Sequence, residues 1–262
     1  MIPWFNITFP SLGPLTIHMF GILVATGILV GARLTRSRGG ELGLSPESVA
    51  SMVTTVLVCG FLFAHFFDVF AYQTKGPRPT LLDILNPFGG LSSYGGFIGA
   101  LGGLFYWCRR HQTNVMPYAD SLAFGLAPGW MFGRLGCFTA HDHPGKLTDF
   151  FLAVKYPEGT RHDLGLDEAL WALVITTIFL ILRKTQREHV RPLGLYVALL
   201  SLLYGPMRFA LDYLRATDLP GADPRYYGLT PAQYGSALVF AAGLALLYWV
   251  LPRSSSARGV ER

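Results

Sequence analysis

Charged residues are scarce in this chain: Asp, Glu, Lys and Arg make up 14% of its 262 residues, whereas 51% of the residues are hydrophobic. The mean hydropathy is +0.38. The few charges lie between long apolar stretches and are not spread along amphipathic periods. This composition excludes an independent soluble domain and is typical of a polytopic membrane protein.

Cysteines are few and repeats are absent. Cys59, Cys108 and Cys137 belong to different apolar stretches, which excludes a disulfide framework and a zinc motif. The lack of a repeated half disfavours a small-molecule transporter. We therefore predict one membrane domain over residues 1–252, followed by a disordered cytoplasmic tail at residues 253–262.

Long apolar stretches predict the architecture. A bilayer core of about 30 Å needs about 20 residues of helix, and seven stretches approach that length: 15–34, 49–72, 92–108, 117–139, 166–182, 193–215 and 231–251. The first lacks a basic leader and a clean cleavage site, so we expect it to be retained. The prediction is an all-α protein of about seven transmembrane helices with short outer loops, the longest at about residues 140–165.

The positions of lysine and arginine predict the orientation. With the amino terminus outside and the carboxyl terminus in the cytoplasm, the inner segments hold twelve of these residues and the outer segments hold seven. This bias fits the positive-inside rule. It also accounts for the sequence pI of about 9.2, because basic residues face anionic lipid of the inner leaflet. No nucleic-acid partner is needed.

Two arginines, Arg134 and Arg208, lie inside apolar stretches. An arginine at a bilayer centre costs roughly 2.5–3.5 kcal/mol, so such residues face a cavity and pair with an anion. Helical spacing puts Arg208 on one face with Tyr204, Asp212 and Arg215. We expect a lipid phosphate in a cavity open to the outer leaflet. A structural Arg208–Asp212 pair and an Arg134 that reaches to the interface are the alternatives.

The segment 133–145, GRLGCFTAHDHPG, resembles the signature G-R-x-G-N-F-x-N-x-E-x-x-G of the prolipoprotein diacylglyceryl transferase family. The spacing matches without a gap, and Asp142 stands for the glutamate. Residues 14–21 are similar to the family's P-x-x-I-x-x-Y-G, residues 162–168 to H-P-x-Q-L-Y-E, and residues 204–208 to Y-G-x-x-R. The resemblance extends in order from residue 14 to about residue 250.

The resemblance implies a transferase of the bacterial inner membrane that needs no metal or organic cofactor. At the outer leaflet, the diacylglyceryl group of phosphatidylglycerol moves to the lipobox cysteine thiol of a preprolipoprotein. Arg134 and Arg208 would hold the phosphodiester, since a guanidinium stays charged and donates parallel hydrogen bonds. Asp212 and Tyr204 would orient Arg208. Glu168 and His162 would belong to the outer support.

Several positions depart from the family pattern. Tyr94-Gly95-Gly96 stands where the family has H-G-G. Tyr94 is a poor proton acceptor, because a phenol titrates near 10 whereas a histidine titrates near 6.5. Amides of Gly95 and Gly96 at a helix start would suit a phosphate, although small residues at this spacing also suit helix packing. Three further positions lose a hydrogen-bonding side chain of the family: Phe20, Cys137 and Ala140.

The loop after the fourth stretch offers substitutes for the missing base. Asp142 is placed to orient a neighbouring histidine, and on an extended segment His141 and His143 would point the same way. We hypothesise that one of them accepts the proton. Two histidines and an aspartate lack further ligands for a metal site, so we predict none. The alternative function is a non-catalytic phospholipid-binding or assembly protein on the same scaffold.

Overall fold

Seven long helices make up most of the computed structural model, which describes residues 1–7, 9, 18–72, 80, 83–84, 86, 90–185, 192–220 and 222–257. They are α1 (Met19–Glu41), α2 (Pro46–Phe67), α3 (Ser93–Arg110), α4 (Val115–Ala140), α5 (Leu164–Thr185), α6 (Leu195–Leu211) and α7 (Pro231–Ala257). Five of them, α1, α2, α5, α6 and α7, are long and apolar enough to cross a membrane. The chain is therefore a mostly helical, multi-pass membrane protein.

Each predicted apolar stretch overlaps one of these helices, but the boundaries differ. The first stretch was predicted to start at residue 15, and residues 10–17 lie outside the described part; α1 continues to Glu41. The α7 helix runs to Ala257, into the segment predicted as a tail, and residues 258–262 are not described. The helices α3 and α4 are not among the five candidate spans; α3 is rich in glycine, and α4 carries Asp120 and Arg134.

A small sheet interrupts the helical architecture and was not expected from the sequence. Its strands are β1 (Ile2–Pro3), β2 (Pro144–Leu147), β3 (Val154–Tyr156) and β4 (Gly159–Asp163), in the order β1-β3-β4-β2. The pair β1–β3 is parallel, and the other two pairs are antiparallel. Strands of two to five residues are too short for a period-2 pattern to stand out, so the all-α prediction missed them.

The chain divides into two compact units, and the first comprises Met1–Thr35 with Asp120–Arg262. Its core lies among α4, α5 and α6, where the rings of Phe124 and Phe179 each meet the ring of Tyr196 at 4.9 Å. The buried carboxylate of Asp120 accepts a 2.9 Å hydrogen bond from the Tyr196 amide in the first turn of α6. This bond satisfies an otherwise unpaired helix-start donor and fixes α6 against α4.

Small residues bring α1 and α4 close together within this unit. A Cβ added at Gly27 would lie 2.7 Å from the carbonyl oxygen of Gly129, and one added at Gly125 would lie 2.1 Å from Thr35 Oγ1. Only glycine permits such an approach of two helix backbones. The contact fixes the position of α4, the helix that carries Arg134.

The second unit comprises Arg36–Ala119 and is built around α2 and α3. A Cβ added at Gly95 would lie 2.3 Å from Phe63 O, and one at Gly99 would lie 2.4 Å from Cys59 O. The small residues at the start of α3 therefore serve close packing against α2.

Candidate functional site

Arg134 and Arg208 meet at one buried carboxylate in the first unit. Arg134 Nε lies 2.9 Å from Oε2 of Glu168, and Arg208 Nε lies 3.4 Å from Oε1 of the same side chain. The arginines come from α4 and α6, and Glu168 comes from the first turns of α5. The Glu168 side chain is only 4% exposed. The resemblance implied a supporting role for Glu168 at the outer edge, whereas its carboxylate lies between the two cations.

A second buried carboxylate, Asp212, orients Arg208. Arg208 Nη1 donates to Asp212 Oδ1 at 2.8 Å, one helical turn away along the chain. The other oxygen, Oδ2, accepts a very short hydrogen bond from the hydroxyl of Thr230. Asp212 is fully buried, so both of its oxygens are committed to polar partners. The resemblance implied an orienting role for Asp212.

Thr230 is a member of this network that the sequence analysis missed. Its backbone N–H donates to Gln233 Oε1 at 3.0 Å, and the backbone N–H of Gln233 donates to Thr230 Oγ1 at 3.2 Å. These reciprocal bonds form a capping box at the start of α7. The T-x-x-Q spacing with Pro231 at the first helical position is a detectable sequence signal. The cap holds the Thr230 hydroxyl against Asp212.

Aromatic residues form one side of the cluster. Trp130 lies under Arg134, with the guanidinium carbon 4.8 Å from the ring centroid, a favourable cation–π distance. The ring of Tyr204 meets the ring of Trp130 edge-on, with 5.7 Å between their centroids. The Tyr204 hydroxyl donates to Glu168 Oε2 at 3.4 Å. Tyr204 therefore contacts the shared carboxylate, not Asp212.

The other end of Arg134 faces the loop after α4. Its Nη1 lies 3.3 Å from Nε2 of His143 and 3.8 Å from Sγ of Cys137. The Nδ1 atom of His143 makes a very short hydrogen bond with Asp142 Oδ1. An ionised carboxylate is an acceptor only, so Nδ1 carries the hydrogen and Nε2 is left as the accepting nitrogen. Asp142 thus orients His143, as the sequence suggested.

A third cation, Arg215, adds positive charge to the site. Its Nε lies 3.8 Å from Asp212 Oδ1, and its Nη1 is paired closely with Asp223. Asp223 is 40% exposed, so solvent screens its charge more than that of the buried carboxylates. Three arginines therefore face two buried carboxylates, and the surplus positive charge favours an anion.

His141 lies elsewhere, in a cage formed with the sheet and the amino-terminal segment. Its Nδ1 is 3.3 Å from Asp163 Oδ2, and its Nε2 is 3.1 Å from the carbonyl oxygen of Phe5. The ring stacks on Trp4 at 4.2 Å. Asp163 also accepts a 2.7 Å bond from the Tyr156 hydroxyl, and burial, followed by the charge of Asp163, raises the pKa of Tyr156.

The expectation that both histidines point the same way is therefore wrong. The α4 helix ends at Ala140, and His141 adopts a left-handed conformation with φ of 52°. The loop is not extended at this point, so alternate side chains do not share a direction. His143 faces Arg134, whereas His141 fastens the amino-terminal segment to the sheet.

His162 lies on β4 beside the start of α5. Its Nδ1 is 3.9 Å from Asp167 Oδ2, and its ring packs against Phe150 at 5.6 Å between centroids. Burial lowers the pKa of His162. On the same strand, Arg161 donates to Gly145 O at 3.1 Å and to Asp218 Oδ1 at 3.0 Å. These contacts hold β4 against the segment that follows α6.

Tyr94, Gly95 and Gly96 belong to the second unit, in the first turn of α3. The Gly95 amide donates to the Ser92 hydroxyl at 3.5 Å, and the Gly96 amide donates to the Ser92 carbonyl oxygen at 3.0 Å. The two amides that were predicted to suit a phosphate, from their place at a helix start, therefore already have acceptors. Tyr94 is 36% exposed.

One group of side chains has the composition of a metal site. Cys137, Asp142 and His143 each bring one ligand atom to within 4.8 Å of the other two. The sequence suggested His141, Asp142 and His143 as part of a possible metal site. In the structure, the thiol of Cys137 takes the place of His141 in this group. Sequence spacing alone did not reveal this, because Cys137 lies inside α4 and the other two lie in the loop beyond it.

Comparisons with known proteins agree with the signature. The family model for prolipoprotein diacylglyceryl transferase matches residues 7–249. The phosphatidylglycerol–prolipoprotein diacylglyceryl transferase of Chromohalobacter salexigens is 29% identical over 247 residues, which cover 91% of this chain and 90% of the relative. The protein of the same name from Nitratidesulfovibrio vulgaris is 30% identical over 247 residues, covering 90% and 91%. The chain belongs to the prolipoprotein diacylglyceryl transferase family.

Proposed function

We propose that this protein transfers the diacylglyceryl group of phosphatidylglycerol to the lipobox cysteine of a preprolipoprotein, at the outer leaflet of the bacterial inner membrane. The observation that carries the proposal is the convergence of Arg134 and Arg208 on Glu168. Relatives that match at least 90% of the chain carry the name of this activity. The alternative of a non-catalytic lipid-binding protein has no comparable support.

The reaction is a displacement at carbon. The thiol sulfur forms a bond to the glycerol carbon that carries the phosphate, and the bond between that carbon and the phosphate oxygen breaks. The electron pair leaves with glycerol phosphate, and the thiol proton goes to a base. The site must therefore stabilise a departing phosphate and accept one proton.

Arg134 and Arg208 are placed to bind the phosphodiester. Each guanidinium has several N–H donors, and the shared carboxylate uses the Nε of each. Glu168 keeps the two cations close together, where their mutual repulsion would otherwise separate them. A phosphate that bridges the remaining donors would gain charge-assisted hydrogen bonds that strengthen as negative charge develops on the leaving group.

His143 is the best-placed proton acceptor. Its Nε2 faces Arg134 Nη1, and Asp142 holds its other nitrogen. A phosphate that draws Nη1 away would free Nε2 for the thiol proton, and Asp142 would stabilise the resulting imidazolium. Both ring nitrogens of His141 face protein oxygens, so we assign no proton transfer to it.

The topology we propose has seven membrane spans, with the amino terminus outside. The positive-inside bias supports this orientation. It puts the outer sheet and the start of α5, with Glu168, on the side where a secreted preprolipoprotein arrives. Arg208 lies three residues before Leu211, where α6 ends, which at 1.5 Å rise per residue is about 5 Å from the outer end of the helix. This depth gives Arg208 access to a lipid headgroup.

The test is a transfer assay with the purified chain in nanodiscs that contain phosphatidylglycerol, using a lipobox peptide as acceptor. We expect the peptide to gain the mass of a diacylglyceryl group while glycerol phosphate is released. Arg134→Lys and Arg208→Lys should each lower kcat/KM by about 10²-fold or more, because lysine keeps the charge but loses the planar fork.

Arg225→Lys is the matched control. Arg225 lies in the loop before α7, where its Nη1 donates to Gly228 O, and its replacement should leave the rate within about twofold, as expected for a surface substitution. A folded wild-type protein that binds phosphatidylglycerol without forming product would overturn the transferase assignment and support the lipid-binding alternative.

A further inference from the structure

Cys137, Asp142 and His143 form a compact set of three ligand types beside Arg134. Their ligand atoms lie within 4.8 Å of one another. Thiolate, imidazole and carboxylate are the side chains that bind Zn²⁺, usually in a tetrahedral arrangement with one position open to water. We propose that these three residues bind a thiophilic divalent cation such as Zn²⁺, and that the bound cation inhibits the transferase.

The ligand side chains have to move to close around a metal. Zinc bonds of about 2.3 Å to sulfur and about 2.0 Å to nitrogen and oxygen place tetrahedral ligand atoms roughly 3.3–3.7 Å apart. Cys137 is held by α4, but Asp142 and His143 lie in the loop beyond it. Their side chains are 45% and 24% exposed, so they are free to move. Asp142 bonds to Nδ1 of His143, and its carboxylate has to exchange that bond for the metal when the metal binds Nε2.

The charges of the ligands favour a dication. Asp142 contributes one negative charge, and Cys137 contributes a second when it binds as the thiolate and releases its proton to water. Arg134 opposes the metal, since its Nη1 lies 3.3 Å from His143 Nε2 and 3.8 Å from Cys137 Sγ. The cation and Nη1 therefore compete for the same two atoms, and Arg134 keeps its contact with Glu168 through Nε.

Inhibition follows from this competition. A metal on Nε2 of His143 blocks the atom assigned to take the thiol proton, and it displaces Nη1 of Arg134 from its present position. Metal binding itself does not depend on the transferase assignment, whereas the inhibition rests on it. The two claims are therefore measured separately.

Binding is tested with the full-length protein in nanodiscs, after removal of metals with a chelator. Zn²⁺ is titrated against a chromophoric competitor, and Co²⁺ is used as a spectroscopic probe. We expect one Zn²⁺ per chain and a thiolate-to-cobalt charge-transfer band. Cys137→Ser and His143→Ala should weaken Zn²⁺ binding by at least about tenfold, since each removes one of three protein ligands.

Matched controls come from the other cysteines. Cys59→Ser and Cys108→Ser change thiols of the second unit and should leave the affinity and the cobalt band unchanged. Cys137→Asn introduces the residue that the family signature has at this position and is a second variant in case Cys137→Ser folds poorly. The site is overturned if the wild type lacks the cobalt band. It is also overturned if both Cys137 variants bind Zn²⁺ with the affinity of the wild type.

Inhibition is measured as the ratio of transfer rates with and without Zn²⁺ for each protein. At saturating Zn²⁺, we expect the wild type to transfer at least about tenfold more slowly than without Zn²⁺. The two rates should be nearly equal in Cys137→Asn. Zn²⁺ that binds without slowing transfer overturns the inhibition alone. A wild type that is inactive without Zn²⁺ but shows the cobalt band contradicts the proposed function and leaves the metal site standing.

Discussion

His141 and His143 lie two residues apart, yet their rings belong to different networks of the first unit. His141 is 8% exposed and is enclosed by Trp4, Phe5 and the small sheet. His143 is partly exposed, with one nitrogen on Asp142 and the other directed at Arg134. A histidine whose nitrogens both face protein oxygens holds structure together, whereas a histidine whose accepting nitrogen faces an arginine fits the proton acceptor that we propose.

The same contrast separates the two buried carboxylates that serve these networks. Asp163 accepts from the Tyr156 hydroxyl and the Leu166 amide and faces His141, so its contacts fix local structure. Glu168 holds two arginines whose further donors are directed elsewhere. We infer that the first network supports the fold and the second supports the chemistry, and four experiments test that division.

The largest effect is expected for Glu168→Gln. Removal of the shared charge leaves two buried cations with one charged partner fewer, and breaking a buried ion pair costs about 3–5 kcal/mol. We expect transfer to fall by about 10³-fold and the unfolding temperature to fall as well. The transfer assay and a thermal melt in detergent measure the two effects. Glu158→Gln, at an exposed residue of the turn between β3 and β4, is the control and should change little. Wild-type transfer by Glu168→Gln would contradict the arginine cluster.

His143→Ala should lower kcat by about 10²–10⁴-fold, the usual contribution of a general base. We expect KM for phosphatidylglycerol to change much less, and the unfolding temperature to remain near that of the wild type. The check is steady-state kinetics together with a thermal melt. If kcat is unchanged while His141→Ala abolishes transfer without loss of stability, the roles of the two histidines are reversed.

Asp163→Ala should act on stability. It leaves the Tyr156 hydroxyl and the Leu166 amide without their acceptor, and each unsatisfied buried group costs about 1–3 kcal/mol. We expect the unfolding temperature to fall by roughly 2–4 °C per kcal/mol. The kcat of the folded fraction should be largely retained. A fall in kcat at unchanged stability would place Asp163 in the catalytic network.

The smallest effect concerns pH. Burial lowers the pKa of His162 below its usual value of 6.5, so between the folded and unfolded pKa values the unfolded state binds more protons. Stability from this residue is therefore complete above about pH 6.5 and decreases as the pH falls below it. Thermal melts from pH 7.5 to 5 should show this decrease, and His162→Gln should make it shallower. An identical pH profile in the variant would show that other groups cause the dependence.

Features within one helix or one short segment were predictable. The Arg208–Asp212 pair follows from helical spacing, and the Asp142–His143 bond follows from adjacency. The capping box of Thr230 and Gln233 was equally local and was overlooked. Its connection to Asp212 was not predictable, since it joins segments 18 residues apart.

The amino-acid sequence by itself determined the helices, because the length of an apolar run and the spacing of polar residues along it are local properties. It also determined that two arginines needed an anion. Only the tertiary structure decided that Glu168 joins them, that Cys137 lies beside His143 and that His141 does not. Those contacts depend on how α4, α5 and α6 pack and on how the chain turns at His141, which no residue specifies alone.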